Sequence, residues 1–276
     1  AMTDPDPRVA GKGMEELANQ GIIVEEGLLQ SQAEKLNPGF IKRMKTGRPY
    51  IRLKLAMSLD GRTAMASGES KWITGTLARQ DVQAWRARSS VIMTGIGTVL
   101  ADNPSLNVRA SELPDYYEQP ETLRQPLRAI IDTHLSISGE EKTLDLPGQI
   151  VMFTGTEDPD HEQMLEEKGV DVVYLPNRSG GTDLVRTCES LAVDYEANEV
   201  LLECGANLSG AMLREELVDE LIIYMSPMLM GSEARGLCNL PWIENLNQSI
   251  HLDIQDIRAI GKDWRIIAKP YITESE

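Results

Sequence analysis

The chain has 276 residues, 41% hydrophobic and 25% charged, enough apolar content to bury a substantial core in one large domain or two. Its formal net charge of −16 excludes a broad nucleic-acid surface, because phosphate-backbone binding rests on clustered Lys and Arg, so any phosphate must be held by a few local donors. Cys188, Cys204 and Cys238 have no C-x-x-C spacing and supply no disulfide framework, which points to a reducing cytoplasm, and the longest uncharged stretch, 89–101, is well short of the ~20 apolar residues that span a bilayer.

Taken in chain order, residues 3–36 carry turn signals, a short helix, a strand candidate at 22–25 and a second helix. Residues 50–57 alternate: Ile51, Leu53, Leu55 and Met57 face one way, and Tyr50, Arg52, Lys54 and Ala56 the other. Thr74 or Thr76 caps a helix running to about Arg88, with Ala78, Val82 and Trp85 at helical spacing and Arg86 near its carboxyl end. A buried strand at 90–94 runs through Gly95-Ile96-Gly97 into a short helix at 98–101, a strand-glycine-helix passage whose free N–H groups suit anions. Strands at 129–132, 150–154, 170–175, 200–203 and 221–227 alternate with helices near 162–168, 184–191 and 208–218, the rhythm of a largely parallel sheet. Strands at 250–257 and 264–269, separated by 259–263, form an antiparallel pair at one edge.

These residues carry a family resemblance. Through DPDPRVAGKG, LNPGFIKRMKTGRPYIRLKLAMSLDGRTA, ESKWIT, LADNPSLNVR, ECGANLSGAML, LVDELIIYMSPMLMG and ARGL, the chain resembles the bifunctional riboflavin-biosynthesis deaminase/reductase over nearly its whole length. The later part is similar to that family's C-terminal reductase domain, which implies an α/β, dihydrofolate-reductase-like fold. It has a predominantly parallel central sheet flanked by helices, with antiparallel C-terminal edge strands. The zinc-deaminase signature H-x-E followed by P-C-x-x-C is absent, and His134, His161 and His251 lack its context, so neither deamination nor a metal is expected. Residues 1–45 resemble the end of the missing deaminase domain, with the reductase domain at 46–276, as in a truncation or an expressed fragment.

The resemblance implies NADPH-dependent reduction of 5-amino-6-(5-phosphoribosylamino)uracil to its ribitylamino counterpart. Hydride must reach the sugar C1′ and an oxygen must gain a proton; Lys54 and Asp102 are the candidates for that work. Between Leu53 and Leu55, burial of Lys54 would lower its pKa toward a useful donor range, whereas by itself a strand lysine sits on a solvated edge. Asp102, read alone, is a turn or cap residue. The resemblance surrounds NADPH with Ala56, Trp72, Thr98, Asp102, Thr133 and the segment Gly205, Ala206, Asn207, Leu208, Ser209, Gly210 and Ala211. Around the substrate it sets Ser70, Arg86, Leu106, Arg109 and Glu203, with the arginines suited to the terminal phosphate. Taken singly, Trp72 is a core residue, each arginine a surface residue and Glu203 a helix cap. Cys204, with no base nearby, is a packing residue. The resemblance implies a homodimer, with the strand-rich 221–269 segment the candidate for its interface, and no nucleic-acid or membrane partner is expected. The alternatives are a related reductase acting on a pteridine or another phosphoribosylamine, and a non-catalytic nucleotide-binding or assembly module.

Overall fold

The computed structural model describes residues 2–118 and 121–271. In chain order the elements are α1 (Lys12–Asn19), α2 (Gln30–Leu36), α3 (Pro38–Thr46), β1 (Tyr50–Ser58), β2 (Arg62–Ala64), α4 (Thr76–Arg88), β3 (Val91–Gly95), α5 (Ile96–Asp102), β4 (Leu127–Ile131), β5 (Ile150–Thr154) and α6 (Pro159–Glu167). There follow β6 (Val170–Tyr174), α7 (Leu184–Val193), β7 (Glu199–Glu203), α8 (Ala206–Arg214), β8 (Glu220–Ser226), β9 (Arg235–Gly236), β10 (His251–Ile260) and β11 (Asp263–Tyr271). By internal contacts the chain divides into two compact units, one reaching Tyr50 and adding Cys188–Glu199, the other made of Ile51–Thr187 and Val200 onward.

Within the first unit, Pro38 opens α3 with its φ already helical. Gly39 must be glycine, since a Cβ would stand 2.6 Å from the Asn198 carbonyl oxygen. Arg43 donates to the Glu196 carbonyl, and the Tyr50 N–H donates to Asn198 O at 2.8 Å. The strand expected at 22–25 does not form: Ile23 is 91% exposed, and the segment pairs with no strand among the described residues. An apolar pair without a ladder to join gains neither hydrogen bonds nor burial.

The second unit is built on a nine-stranded sheet in the order β10-β11-β8-β1-β7-β3-β4-β5-β6. β1–β8, β3–β7, β3–β4, β4–β5 and β5–β6 are parallel, while β11 runs antiparallel to β8 and β10. The α/β class and the antiparallel C-terminal edge are thus as expected. Apolar clusters of described residues pack within the second unit. Val99 and Leu165, from α5 and α6, pack on Ile130, Ile150, Met152 and Val170, while Ala78 and Val82 of α4 pack on Leu201, Ile222 and Tyr224. Asp81 clamps α4 to the sheet: buried, it accepts from Tyr224 and from Arg265 Nη1 at 2.8 Å, so α4 and its Arg86 are fixed in register.

Several boundaries differ from expectation. Neither Thr74 nor Thr76 caps α4; the cap residue is Gly75, whose N–H donates to Asp263 Oδ2 at 2.7 Å, a partner too distant in sequence to be read locally. α5 begins at Ile96, directly after Gly95, so Asp102 is its last residue instead of following it. α8 ends at Arg214, short of Val218, because Glu216 adopts φ 53. The edge strands extend to Ile260 and from Asp263, leaving a two-residue turn with Gly261 at φ 66 in place of a five-residue loop, the compact geometry that continues a twisted hairpin.

Candidate functional site

β1, β7 and α4 bring three of the expected residues together. Arg86, in the last turn of α4, grips Glu203 at the end of β7 with a two-pronged contact, Nε to Oε1 at 2.6 Å and Nη2 to Oε2 at 3.0 Å, and Nη1 donates to Asn107 O at 3.1 Å. Both side chains are nearly buried, at 11% and 13% exposure. Thr94 on β3 donates its hydroxyl to the Glu203 carbonyl at 2.7 Å, which fixes the strand end. Lys54 on β1 is half-buried beside this pair and makes no hydrogen bond to another described residue. Burial pushes its pKa below the ordinary 10.5; Glu203 opposes that shift and Arg86 adds to it. Burial alone would raise the Glu203 carboxyl, but Arg86, then Lys54 and Arg109, hold it below 4.5. The result is a low-dielectric site in which the Glu203 carboxylate lies among three cations, of which only Arg86 is hydrogen-bonded to it.

The loop after α5 supplies the third cation. The Arg109 N–H donates to Gln83 Oε1 at 3.1 Å and its Nη2 to Glu112 Oε2 at 2.6 Å, while its buried Nε has no hydrogen-bond partner among the described residues. Leu106, expected at the substrate, has its side chain in the core, 1% exposed, with its backbone at φ 47, so any contact it offers a substrate comes from its backbone. Ser70 is partly exposed. Asp102 is half-exposed and pairs with Lys71 Nζ at 3.2 Å. Trp72 is not core: it is 68% exposed, with the Arg79 guanidinium 4.6 Å from its ring centroid.

α5 and α8 start side by side. Gly95 and Gly205 precede them in extended conformation, neither end has a side-chain cap, a Cβ on Gly95 would touch Leu208 at 3.1 Å, and one on Gly205 would stand 4.0 Å from Thr98 Oγ1. Uncapped N–H groups over a glycine at the amino end of α8 are the donor set that a dinucleotide's pyrophosphate needs. Against them opens a cleft of about 680 Å³ that takes in Thr133, Asn207, Leu208 and Ala211 of the expected cofactor residues. The residues present therefore fit a dinucleotide.

Other members of the 205–211 segment have different work. Gly210 is buried against the loop at Asn239, where a Cβ would fall 1.9 Å from the carbonyl oxygen, and Ser209 is buried with its hydroxyl donating to Gly205 O at 3.1 Å. Ala56 and Ala206 are partly exposed, Ala56 lying opposite Tyr224 in the β1–β8 register. The Cys204 thiol is pushed up to about 12 by burial, which suits packing and not nucleophilic chemistry. The three histidines are separate: His161 Nε2 meets Ile137 O at 2.6 Å, His134 lies 3.5 Å from Thr156 Oγ1, and the His251 ring lies 5.5 Å from that of Tyr271. Among the described residues no group of three or more His, Cys, Asp or Glu side chains could hold a metal, and no helix is long and apolar enough to cross a membrane.

Sequence reasoning missed Arg178, Thr182, Arg214 and Trp242, all of which line the same cleft. One signal was present: Asn207, Ala211 and Arg214 recur at spacings of four and three, so a ligand touching the first two meets the third on the same helix face.

Residues 49–266 match the family described as RibD C-terminal domain. The chain is 46% identical over 267 residues to the riboflavin biosynthesis protein RibD of Escherichia coli (strain K12), covering 95% of this chain and 71% of that protein. It superposes on Acinetobacter baumannii RibD, form 1, with a TM-score of 0.87 at 43% identity, over 98% of this chain and 72% of the other. A Saccharomyces cerevisiae riboflavin biosynthesis reductase, Rib7, shares the fold with a TM-score of 0.64 at 24% identity, over 89% of this chain and all (100%) of its own.

Proposed function

The chain belongs to the RibD C-terminal domain family, whose reductase uses a nicotinamide cofactor, and from that premise we propose that it reduces 5-amino-6-(5-phosphoribosylamino)uracil to the ribitylamino product with NADPH. The observation that carries the reading is the half-buried Lys54 beside the Arg86–Glu203 pair, a lysine with lowered pKa and no hydrogen-bonded partner among the described residues. When bound, NADPH supplies a hydride to the sugar C1′. As C1′ gains that bond, its bond to the ring oxygen breaks and the oxygen takes a proton; Lys54 holds that proton, and its lowered pKa makes it a better donor at neutral pH than a solvated lysine. Arg109, its side chain 40% exposed and only its Nη2 engaged by Glu112, binds the terminal phosphate. Glu203 accepts from the substrate while Arg86 keeps it ionised and oriented, so the role of Arg86 is to position Glu203 more than to bind phosphate. Ser70 adds a hydroxyl donor. Asp102 belongs to the cofactor side of the reaction, and Asp102→Asn is expected to fold and lose turnover.

Thr133, Asn207, Leu208 and Ala211, together with the uncapped start of α8, support the cofactor reading. A homodimer is part of the proposal. β8 is interior to the sheet, so of the implied 221–269 segment the free edge is β10, where Ile254 and Ile257 are exposed. The test is loss of NADPH absorbance when the purified chain meets the deaminated substrate, with the non-deaminated precursor in parallel. Rapid oxidation with the deaminated compound alone is the expected result; NADPH binding without oxidation of either would favour a binding module instead.

A further inference from the structure

The cleft beside α8 holds two cations that the catalytic reading does not use. Arg178 projects from the loop between β6 and α7, and Arg214 closes the carboxyl end of α8; both line the cleft and neither forms a hydrogen bond or ion pair with another described residue. That is unusual company in a chain with 43 carboxylates and 27 Lys and Arg.

Both arginines are carried on rigid supports. Asn177 Oδ1 accepts the N–H groups of Ser179 and Gly181 at 2.8 and 2.9 Å, and its own N–H donates to Gly181 O at 2.7 Å, locking the turn that presents Arg178. Gly155 backs this turn so closely that a Cβ would lie 2.7 Å from the Gly181 carbonyl carbon. Thr182, next in the chain, meets Thr133 hydroxyl to hydroxyl at 3.0 Å. On the other wall, the Arg214 guanidinium lies 5.7 Å from the Trp242 ring centroid, and the loop bearing Trp242 is fastened to α8 by Asn239 N–H donating to Ala206 O at 2.9 Å. The helix dipole accounts for one positive charge at the end of α8, but it does not account for a second arginine facing it from a separate loop.

The remaining polar lining defines the ligand. Asp183 and Glu215 border the same cleft, so its charges balance, and a bare inorganic anion gains little there. A group offering both a phosphate and hydrogen-bond donors matches all four side chains. Resting on the reading above that a nicotinamide dinucleotide lies along α8, we propose that Arg178 and Arg214 form the subsite for the 2′-phosphate on the cofactor's adenosine ribose. The two carboxylates accept from the adenosine's hydroxyl and amino groups. The pair would then set the preference for NADPH over NADH, through planar guanidinium forks that suit a dianionic phosphate.

The test is calorimetric titration of the full chain with adenosine 2′,5′-bisphosphate and with 5′-AMP, for wild type, Arg178→Ala and Arg214→Ala, with the Gln substitution at each position as a second variant. Each substitution is expected to weaken the bisphosphate about tenfold or more, as loss of a charge-assisted contact does, and to change 5′-AMP by less than about twofold. Equal weakening of both nucleotides, no weakening of either, or a wild type that binds the two alike would overturn the assignment. A wild type that binds neither nucleotide, nor NADPH, would bring down the cofactor reading itself, and the assignment with it.

Discussion

Two arginine sites in this protein look alike in composition and differ in how their charges are satisfied. Arg86 is nearly buried and engaged by Glu203 and the Asn107 carbonyl, whereas Arg178 and Arg214 stand open in a cleft with no protein hydrogen-bond partner among the described residues. The first arrangement builds an electric field: it keeps the Glu203 carboxylate ionised in a low-dielectric site and leaves Lys54 beside it, the residue proposed above as proton carrier. The second leaves guanidinium donors available to a ligand. A buried arginine in a paired geometry is therefore weaker evidence for phosphate binding than an accessible one on a rigid turn.

That contrast can be broken by substitution. The largest effect is expected for Glu203→Ala, which strands Arg86 in a buried site; removing one member of such a pair costs about 3–5 kcal/mol of stability, measured by urea denaturation. A loss below about 1 kcal/mol would mean that the pair is solvated and sets no field. Lys54→Met comes next, with turnover expected to fall by at least about 100-fold while the protein folds. Its stability signature has a definite sign. Because the folded pKa of Lys54 is lowered, the unfolded chain binds its proton more tightly, so the penalty is full below the folded pKa and is relieved as pH rises toward 10.5. Wild type should thus gain stability over that alkaline window relative to Lys54→Met; parallel pH profiles would remove Lys54 from the buried field. Arg109→Ala should raise KM for the phosphorylated substrate roughly tenfold and leave kcat nearly unchanged, since it removes a charge-assisted contact made equally before and during reaction. An unaltered KM would show that Arg109 serves Glu112 and not the phosphate. Gly210→Ala tests packing: the added methyl meets the Asn239 carbonyl and costs about 1–3 kcal/mol, read as a lowered Tm. If stability holds while NADPH binding is lost, Gly210 faces the cofactor after all.

Much of the architecture was legible because it is periodic. The alternation at 50–57 places Ile51, Leu53 and Leu55 in the core, and Ala78 and Val82 recur along the buried face of α4. Elements failed where a local pattern needed a distant partner. The apolar pair at 22–23 had no strand to join, and the start of α4 is held by Asp263 in place of a threonine. Among site residues, the motifs around Lys54, Arg86, Arg109 and Glu203 were readable, but their division of labour was not. Nothing local in an arginine near a helix end distinguishes a phosphate ligand from a partner for a carboxylate 117 residues away.

By itself, the sequence determined the α/β class, the parallel core with its antiparallel edge, and the family, because these follow from hydrophobic period and contiguous motifs. Tertiary structure alone decided which charges neutralise one another, that the Leu106 side chain is buried and Gly210 lies close against Asn239, and that a turn at Arg178 faces the end of α8 across one cleft. Burial and pairing are properties of three-dimensional neighbours, and a guanidinium's role depends on which oxygen reaches it first.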